Sequence, residues 1–111
     1  MSTIEVRTEG RQAVVTGPPR RNMTAAPQLR EVLAQTVADG SPQIVVDLGG
    51  TTFVDSSGLG ALVGGLKTAR QAGGDLRLAA VSDQVMTVLT LTSLNRVLRP
   101  FPTVEDASRD W

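Results

Sequence analysis

The sequence predicts one α/β domain built on a largely parallel sheet with an antiparallel hairpin at its edge. Three observations carry this expectation. Beyond the first two strand-like segments, single helical stretches alternate with short apolar stretches, the pattern of βαβ crossovers. Before them, two short segments are joined by Glu9-Gly10-Arg11-Gln12, which reads as the turn of a hairpin. Finally, 111 residues that are 41% hydrophobic and 20% charged suffice for one buried core and are too apolar for disorder.

Ile4-Glu5-Val6-Arg7-Thr8 alternates apolar and polar residues, as a half-buried strand does, and Ala13-Val14-Val15-Thr16 returns beside it. Gly17-Pro18-Pro19 ends the strand character, because proline has no N–H to give to a ladder. Thr24 is placed to cap a first helix, with Ala25, Ala26 and Pro27 in a turn whose N–H groups lack partners in any case. Leu29, Val32, Leu33 and Val37 then share a face, and Gly40 stops the helix. Residues 44–48 are nearly all apolar, as in a strand covered on both faces. Asp47 is the exception, either facing solvent or capping a turn.

Gly49-Gly50-Thr51-Thr52 is a loop, and Phe53-Val54 returns to the core. A second helix runs from about residue 57 to residue 71. Its central Gly64-Gly65 costs roughly 1 kcal/mol per glycine relative to alanine, so close packing against the sheet is expected there. Residues 76–81 form the next strand. Ser82 caps a third helix with Val85, Val88 and Leu89 on its apolar face, and Thr92-Ser93-Leu94-Asn95 breaks it. Val97-Leu98 is expected to be a last short strand. Thr103-Val104-Glu105-Asp106 approximates a capping box, with Asp for Glu or Gln, and opens a C-terminal helix.

Composition narrows the function. Eleven basic residues balance eleven acidic ones, which argues against nucleic acid as the main partner. Arg20-Arg21 and the pair Arg96 and Arg99 are either local basic patches or solvated surface arginines. Without cysteine there are no disulfides, thiol nucleophiles or cysteine metal sites, which fits a cytoplasmic protein. Without histidine there is no Ser-His-Asp triad and no imidazole ligand for zinc. No apolar run is long enough to span a membrane, and no signal-peptide pattern opens the chain. An enzyme would need a carboxylate pair or a lysine; Asp47 and Asp55 are the nearest approach, eight residues apart. The expectation is a monomeric, non-catalytic protein without cofactor or metal.

The stretch that carries function is Asp55-Ser56-Ser57-Gly58-Leu59-Gly60-Ala61-Leu62, where a strand feeds a helix. At a helix start the first N–H groups lack intrahelical partners and the dipole favours negative charge. Ser56 and Ser57 can form a plain N-cap pair, or Ser56 can carry a phosphate that the helix start tolerates. Asp55 either orients the acceptor hydroxyl or belongs to the cap. Gly58 and Gly60 leave the turn open to a partner backbone, whereas Gly58-Leu59-Gly60 is too short for a nucleotide-binding signature. Leu59 and Met23 are either exposed apolar contacts or core residues, and Lys67 and Arg70 are solvated, at the rim of a partner site.

The strand and turn VVDLGGTTFVDSSGLGAL, the segment ARQAGGDLRLA and the later VLTLTSLNRVL resemble the STAS domain of bacterial anti-sigma-factor antagonists, over about residues 4–107 of a single domain spanning 1–111. The resemblance implies a mixed sheet of four to five strands, with about four helices packed mainly on one face. It implies that Ser56, directly after the aspartate, is phosphorylated by a partner that is both a serine kinase and an anti-sigma factor. The unphosphorylated antagonist binds that kinase and releases the sigma factor, and a serine phosphatase resets the phosphorylated form. The implied partner surface comprises Asn22, Met23 and Thr24 with Asp55, Ser57, Gly58, Leu59 and Gly60. Arg20-Arg21-Asn22 departs from the family's acidic G-E-L-D pattern, with asparagine for aspartate. A structural STAS subunit of a membrane transport complex is the alternative the resemblance leaves open.

Overall fold

The computed structural model describes residues 4–16, 26–49, 56–109 and 111. Five strands form one sheet in the order β1-β2-β3-β4-β5: β1 (Glu5–Glu9), β2 (Gln12–Thr16), β3 (Gln43–Asp47), β4 (Asp75–Ala79) and β5 (Pro100–Phe101). The helices are α1 (Ala26–Ala38), α2 (Ser56–Gln71), α3 (Asp83–Leu91) and α4 (Val104–Ser108), with a 3₁₀ turn at Leu94–Arg96. β1 runs antiparallel to β2, and β2, β3, β4 and β5 are mutually parallel. The mixed sheet with its hairpin edge is therefore as the sequence predicts.

The register explains the two-sided core. Ala13 and Val15 of β2, Ile44 and Val46 of β3, and Leu76 and Leu78 of β4 face one way. They pack against Leu29 and Leu33 of α1, Leu62 and Leu66 of α2, and Val85 and Leu89 of α3. The alternate residue of β3, Val45, faces the other way with Ala79, beneath Ala107 of α4 and the half-buried Phe101 and Trp111. An apolar strand covered on both faces is what residues 44–48 require. Among the described residues, three helices lie on one face and the short α4 on the other.

On the α4 face, β4 places the buried Arg77 in the row Val14–Val45–Arg77. A guanidinium tolerates burial only when its hydrogen-bonding and charge needs are met. Arg77 Nη1 donates to the Ala107 carbonyl at 2.7 Å, and its Nε lies 3.6 Å from Asp75 Oδ2. Its carbon centre sits 4.3 Å from the Trp111 ring centroid and 5.8 Å from that of Phe101, within cation–π range. Arg77 thus fastens α4 and the C-terminal tryptophan to the sheet.

Two expectations are corrected. The alternation of residues 4–8 predicts a half-buried strand, but every residue of β1 is exposed, and Val6, opposite Val15, remains 40% exposed. The helical layer is centred on the inner strands and leaves the edge uncovered, so burial at that end falls on Ile4, just before the strand. Val97-Leu98 is not a strand. Both N–H groups bond back to the Leu94 carbonyl, at 3.1 and 2.8 Å, prolonging the turn that seats the buried Leu98 in the core. Sheet pairing begins one residue later, where the Arg99 and Phe101 carbonyls accept from Leu78 and Ala80. Pro100 is admissible because β5 is an edge strand.

The remaining punctuation follows local chemistry. Gly40 adopts φ +100 after α1. Ser82 Oγ accepts from the Val85 N–H and Thr103 Oγ1 from the Asp106 N–H, so both expected N-caps form. The predicted Phe53-Val54 return and the Thr24 cap lie outside the described residues.

Candidate functional site

Parallel strands bring the helix starts together. Thr16, Asp47 and Ala79, the last residues of β2, β3 and β4, are in register at one sheet edge. The chain leaves each of these strands toward α1, α2 or α3 in turn, so the helices begin from this edge. In open α/β sheets this carboxyl edge is where ligands and partners are met.

After β3, the Leu48 N–H donates to the Ala79 carbonyl at 2.9 Å, which buries Leu48. The Gly49 N–H then donates to Asp47 Oδ1 at 2.9 Å. Asp47 therefore caps a turn, one of its two expected roles. After β4, Ala80 adopts the left-handed region, with φ 57, and turns the chain toward α3. A side-chain carbon placed on Gly49 would stand 3.6 Å from Ala80 Cβ, so these two turns lie side by side.

Ser56 is the first residue of α2, and Ser56 and Ser57 are both exposed. The first turn of α2, a 16-residue helix, has no acidic residue, so no carboxylate within that turn competes with a negative charge on Ser56. The first serine hydroxyl is thus accessible at a position where added negative charge is tolerated. Gly58 and Gly60 are half-buried. Leu59 is 7% exposed and belongs to the core cluster, so it anchors the turn from beneath and is not an exposed contact. Asn22, Met23, Thr24 and Asp55 lie outside the described residues, as do Arg20 and Arg21.

Arg70 is not at the rim of this edge. Its Nε lies 3.3 Å from Asp75 Oδ1, at the start of β4 and hence at the opposite edge, where Arg99 Nη2 approaches Asp75 Oδ2 at 3.2 Å. Lys67 and Arg96 are exposed.

The carboxyl edge also carries a feature with no counterpart in the sequence expectations. Ala80, Val81, Met86, Pro100, Phe101 and Pro102 line a shallow, mainly apolar groove of about 250 Å³. It forms where residues 80–86 meet residues 100–102. The available signal was Met86, which lies off the apolar face formed by Val85 and Leu89 and is 37% exposed. Among the described residues no cluster of His, Cys, Asp or Glu could hold a metal ion, and no helix is long and apolar enough to cross a membrane.

The model of the STAS domain family matches residues 4–107. The chain belongs to the STAS domain family. Among its relatives, the anti-sigma-B factor antagonist of Staphylococcus aureus (strain NCTC 8325 / PS 47) is 36% identical over 72 residues, 65% of this chain and 67% of that protein. The crystal structure of an anti-sigma factor antagonist from Mycobacterium paratuberculosis superposes with a TM-score of 0.83 at 27% identity, covering 97% of this STAS chain and 92% of that one. The Bacillus cell fate determinant SpoIIAA in its phosphorylated form has the same fold, with a TM-score of 0.72 at 20% identity, covering 96% and 97% of the two chains. These relatives are named for regulation and not for a reaction, in keeping with a non-catalytic STAS domain.

Proposed function

We propose that this STAS domain is an anti-sigma-factor antagonist whose affinity for its partner is set by phosphorylation of Ser56. The observation that carries the reading is the placement of Ser56: an exposed hydroxyl on the first residue of α2, at the carboxyl edge of the sheet. The names of its relatives support an anti-sigma factor as partner. The phosphorylated form of SpoIIAA supports phosphate on a protein of this fold. The family pattern assigns the kinase role to the anti-sigma factor itself and the reset to a serine phosphatase; the balanced charge and the absence of cysteine support a cytoplasmic monomer. The partner surface centres on Ser57, Gly58 and Gly60, joined by Asn22, Met23, Thr24 and Asp55.

The switch needs no large rearrangement. Phosphate adds about −1.5 to −2 charges. A charge left unpaired in an interface costs on the order of 2–5 kcal/mol. At about 1.4 kcal/mol per factor of ten, binding weakens about 30-fold to a few thousand-fold. Repulsion and desolvation at the contact are sufficient.

The test is binding of wild type, Ser56→Ala and Ser56→Asp to the purified anti-sigma serine kinase, in the presence and absence of ATP. Wild type releases the kinase once ATP is supplied, Ser56→Ala stays bound, and Ser56→Asp binds weakly from the outset, though one carboxylate imitates phosphate incompletely. Equal affinity of all three proteins under both conditions would refute the reading.

A further inference from the structure

The neighbouring helix α1 brings a described cation onto the strip of α2 that carries the candidate phosphoacceptor. A side-chain carbon placed on Gly60 would stand 3.4 Å from Arg30 Nη2, so the guanidinium of α1 lies across the bare backbone of α2 at that position. Gly60 follows Ser56 by four residues and Ser57 by three, which makes it the next position down the same strip of helix surface, with Cβ positions about 5–6 Å apart. α1 and α2 start from the same sheet edge and run parallel. Side chains on a helix lean toward its N-terminus, so Arg30 leans toward the end that carries Ser56.

Arg30 is exposed, and none of the described ion pairs engages it. Arg70, Arg77 and Arg99, by contrast, are all drawn to Asp75 at the other edge. The described carboxylates at the carboxyl edge are Asp47, whose Oδ1 accepts from the Gly49 N–H, Asp83 in the first turn of α3, and, on the opposite face of the sheet, Glu105 and Asp106 in the first turn of α4, the latter paired with Arg109. Glu31 is exposed beside Arg30 on α1.

We infer that Arg30 is the intramolecular clamp for a phosphate on Ser56: the guanidinium lying over Gly60 takes up the phosphate oxygens and holds them against the protein's own surface. Arginine suits the task because its planar fork matches phosphate geometry and keeps its charge at all physiological pH values. Gly60 has a matching role, since a branched side chain there would displace the guanidinium. The inference rests on the reading of Ser56 as the phosphoacceptor and adds the residue that receives the modification.

The test installs phosphoserine at position 56 during translation, so that occupancy does not depend on any kinase. Phosphorus NMR then follows the phosphate through its second ionisation in four proteins: wild type, Arg30→Ala, Arg30→Lys and Lys67→Ala. A cation in contact favours the dianion. The wild-type phosphate is expected to lose its second proton about three- to tenfold more readily than that of Arg30→Ala, a range set below buried-pair values because the site is exposed. Arg30→Lys should fall between them, and Lys67→Ala should match wild type. Coincident titrations for wild type and Arg30→Ala, with unchanged circular dichroism, would overturn the clamp. Failure of every anti-sigma kinase to modify Ser56 would instead strike the proposed function, and the installed phosphate would still report on Arg30.

Discussion

Replacing Gly65 by alanine tests how closely α1, α2 and the sheet are packed. An added Cβ would stand 2.6 Å from Leu33 Cδ1, 3.2 Å from Leu33 Cβ and 3.0 Å from Leu76 Cδ1. Leu33 and Leu76 are both fully buried, so neither side chain has free space to move into. Alanine gains about 1 kcal/mol of helix propensity over glycine, while overpacking a filled core costs about 1–3 kcal/mol. Gly64, the adjacent residue, is the internal control: a Cβ there meets nothing within 4 Å. Both substitutions gain the same propensity, so their difference isolates the overpacking. Gly64→Ala should therefore exceed Gly65→Ala in stability by about 1–3 kcal/mol. Gly64→Ala itself should gain up to about 1 kcal/mol over wild type. Urea unfolding followed by far-ultraviolet circular dichroism measures both, and at about 4 °C or more per kcal/mol the thermal midpoints separate clearly. A Gly65→Ala midpoint equal to or above that of Gly64→Ala would refute the packing argument.

Further substitutions probe other joints of the fold. Gly74→Ala would place a Cβ 2.1 Å from the Pro42 carbonyl oxygen and 2.4 Å from its carbon, a clash with backbone that no side-chain rotation relieves. It should cost about 3 kcal/mol or more by thermal denaturation. Arg77→Ala removes the charged hydrogen bond to Ala107 and the stacking on Trp111, and should cost about 2–5 kcal/mol. Because Trp111 is the sole tryptophan, its fluorescence should shift in the same variant before global unfolding begins. Ser82→Ala leaves the Val85 N–H without its cap and should cost about 0.5–2 kcal/mol in urea midpoint experiments.

Gly64-Gly65 also illustrates what the sequence can convey. The glycine pair signals a close approach, but only one glycine makes it, and the approach is to Leu33 of α1 as much as to the sheet. Which glycine faces inward depends on the angle at which α2 is seated, and that is a tertiary fact. The fold class was legible because alternation of apolar strands with capped helices is a local signal, and Ser82 and Thr103 cap as local sequence requires. The exposure of β1 is not legible, because alternation reports only that a segment can be half-buried, and no local signal says whether a helix arrives to cover it. The position of the last strand is not legible either, because Val97-Leu98 is apolar for burial in the core, whereas Pro100 looks unfit for a sheet until its edge position is known.

At the candidate site, the position of Ser56 at the start of a helix is legible from the residues around it, since a serine pair at a strand-to-helix turn needs no tertiary information, whereas its reading as a phosphoacceptor rests on the family resemblance. Arg30 is not legible, because its relation to Ser56 arises only when two parallel helices come together and a glycine leaves room between them. The groove beside Met86 is likewise a tertiary feature, since it forms where residues 80–86 meet residues 100–102.

The most direct test of the account is the intact mass, with site mapping, of the protein incubated with ATP and its anti-sigma serine kinase. The account predicts the gain of one phosphate, located on Ser56 and absent from Ser56→Ala. Phosphate found on Ser57, or stable binding to the kinase with no phosphate gained, would contradict it and leave Ser56 an unmodified residue of the first turn of α2.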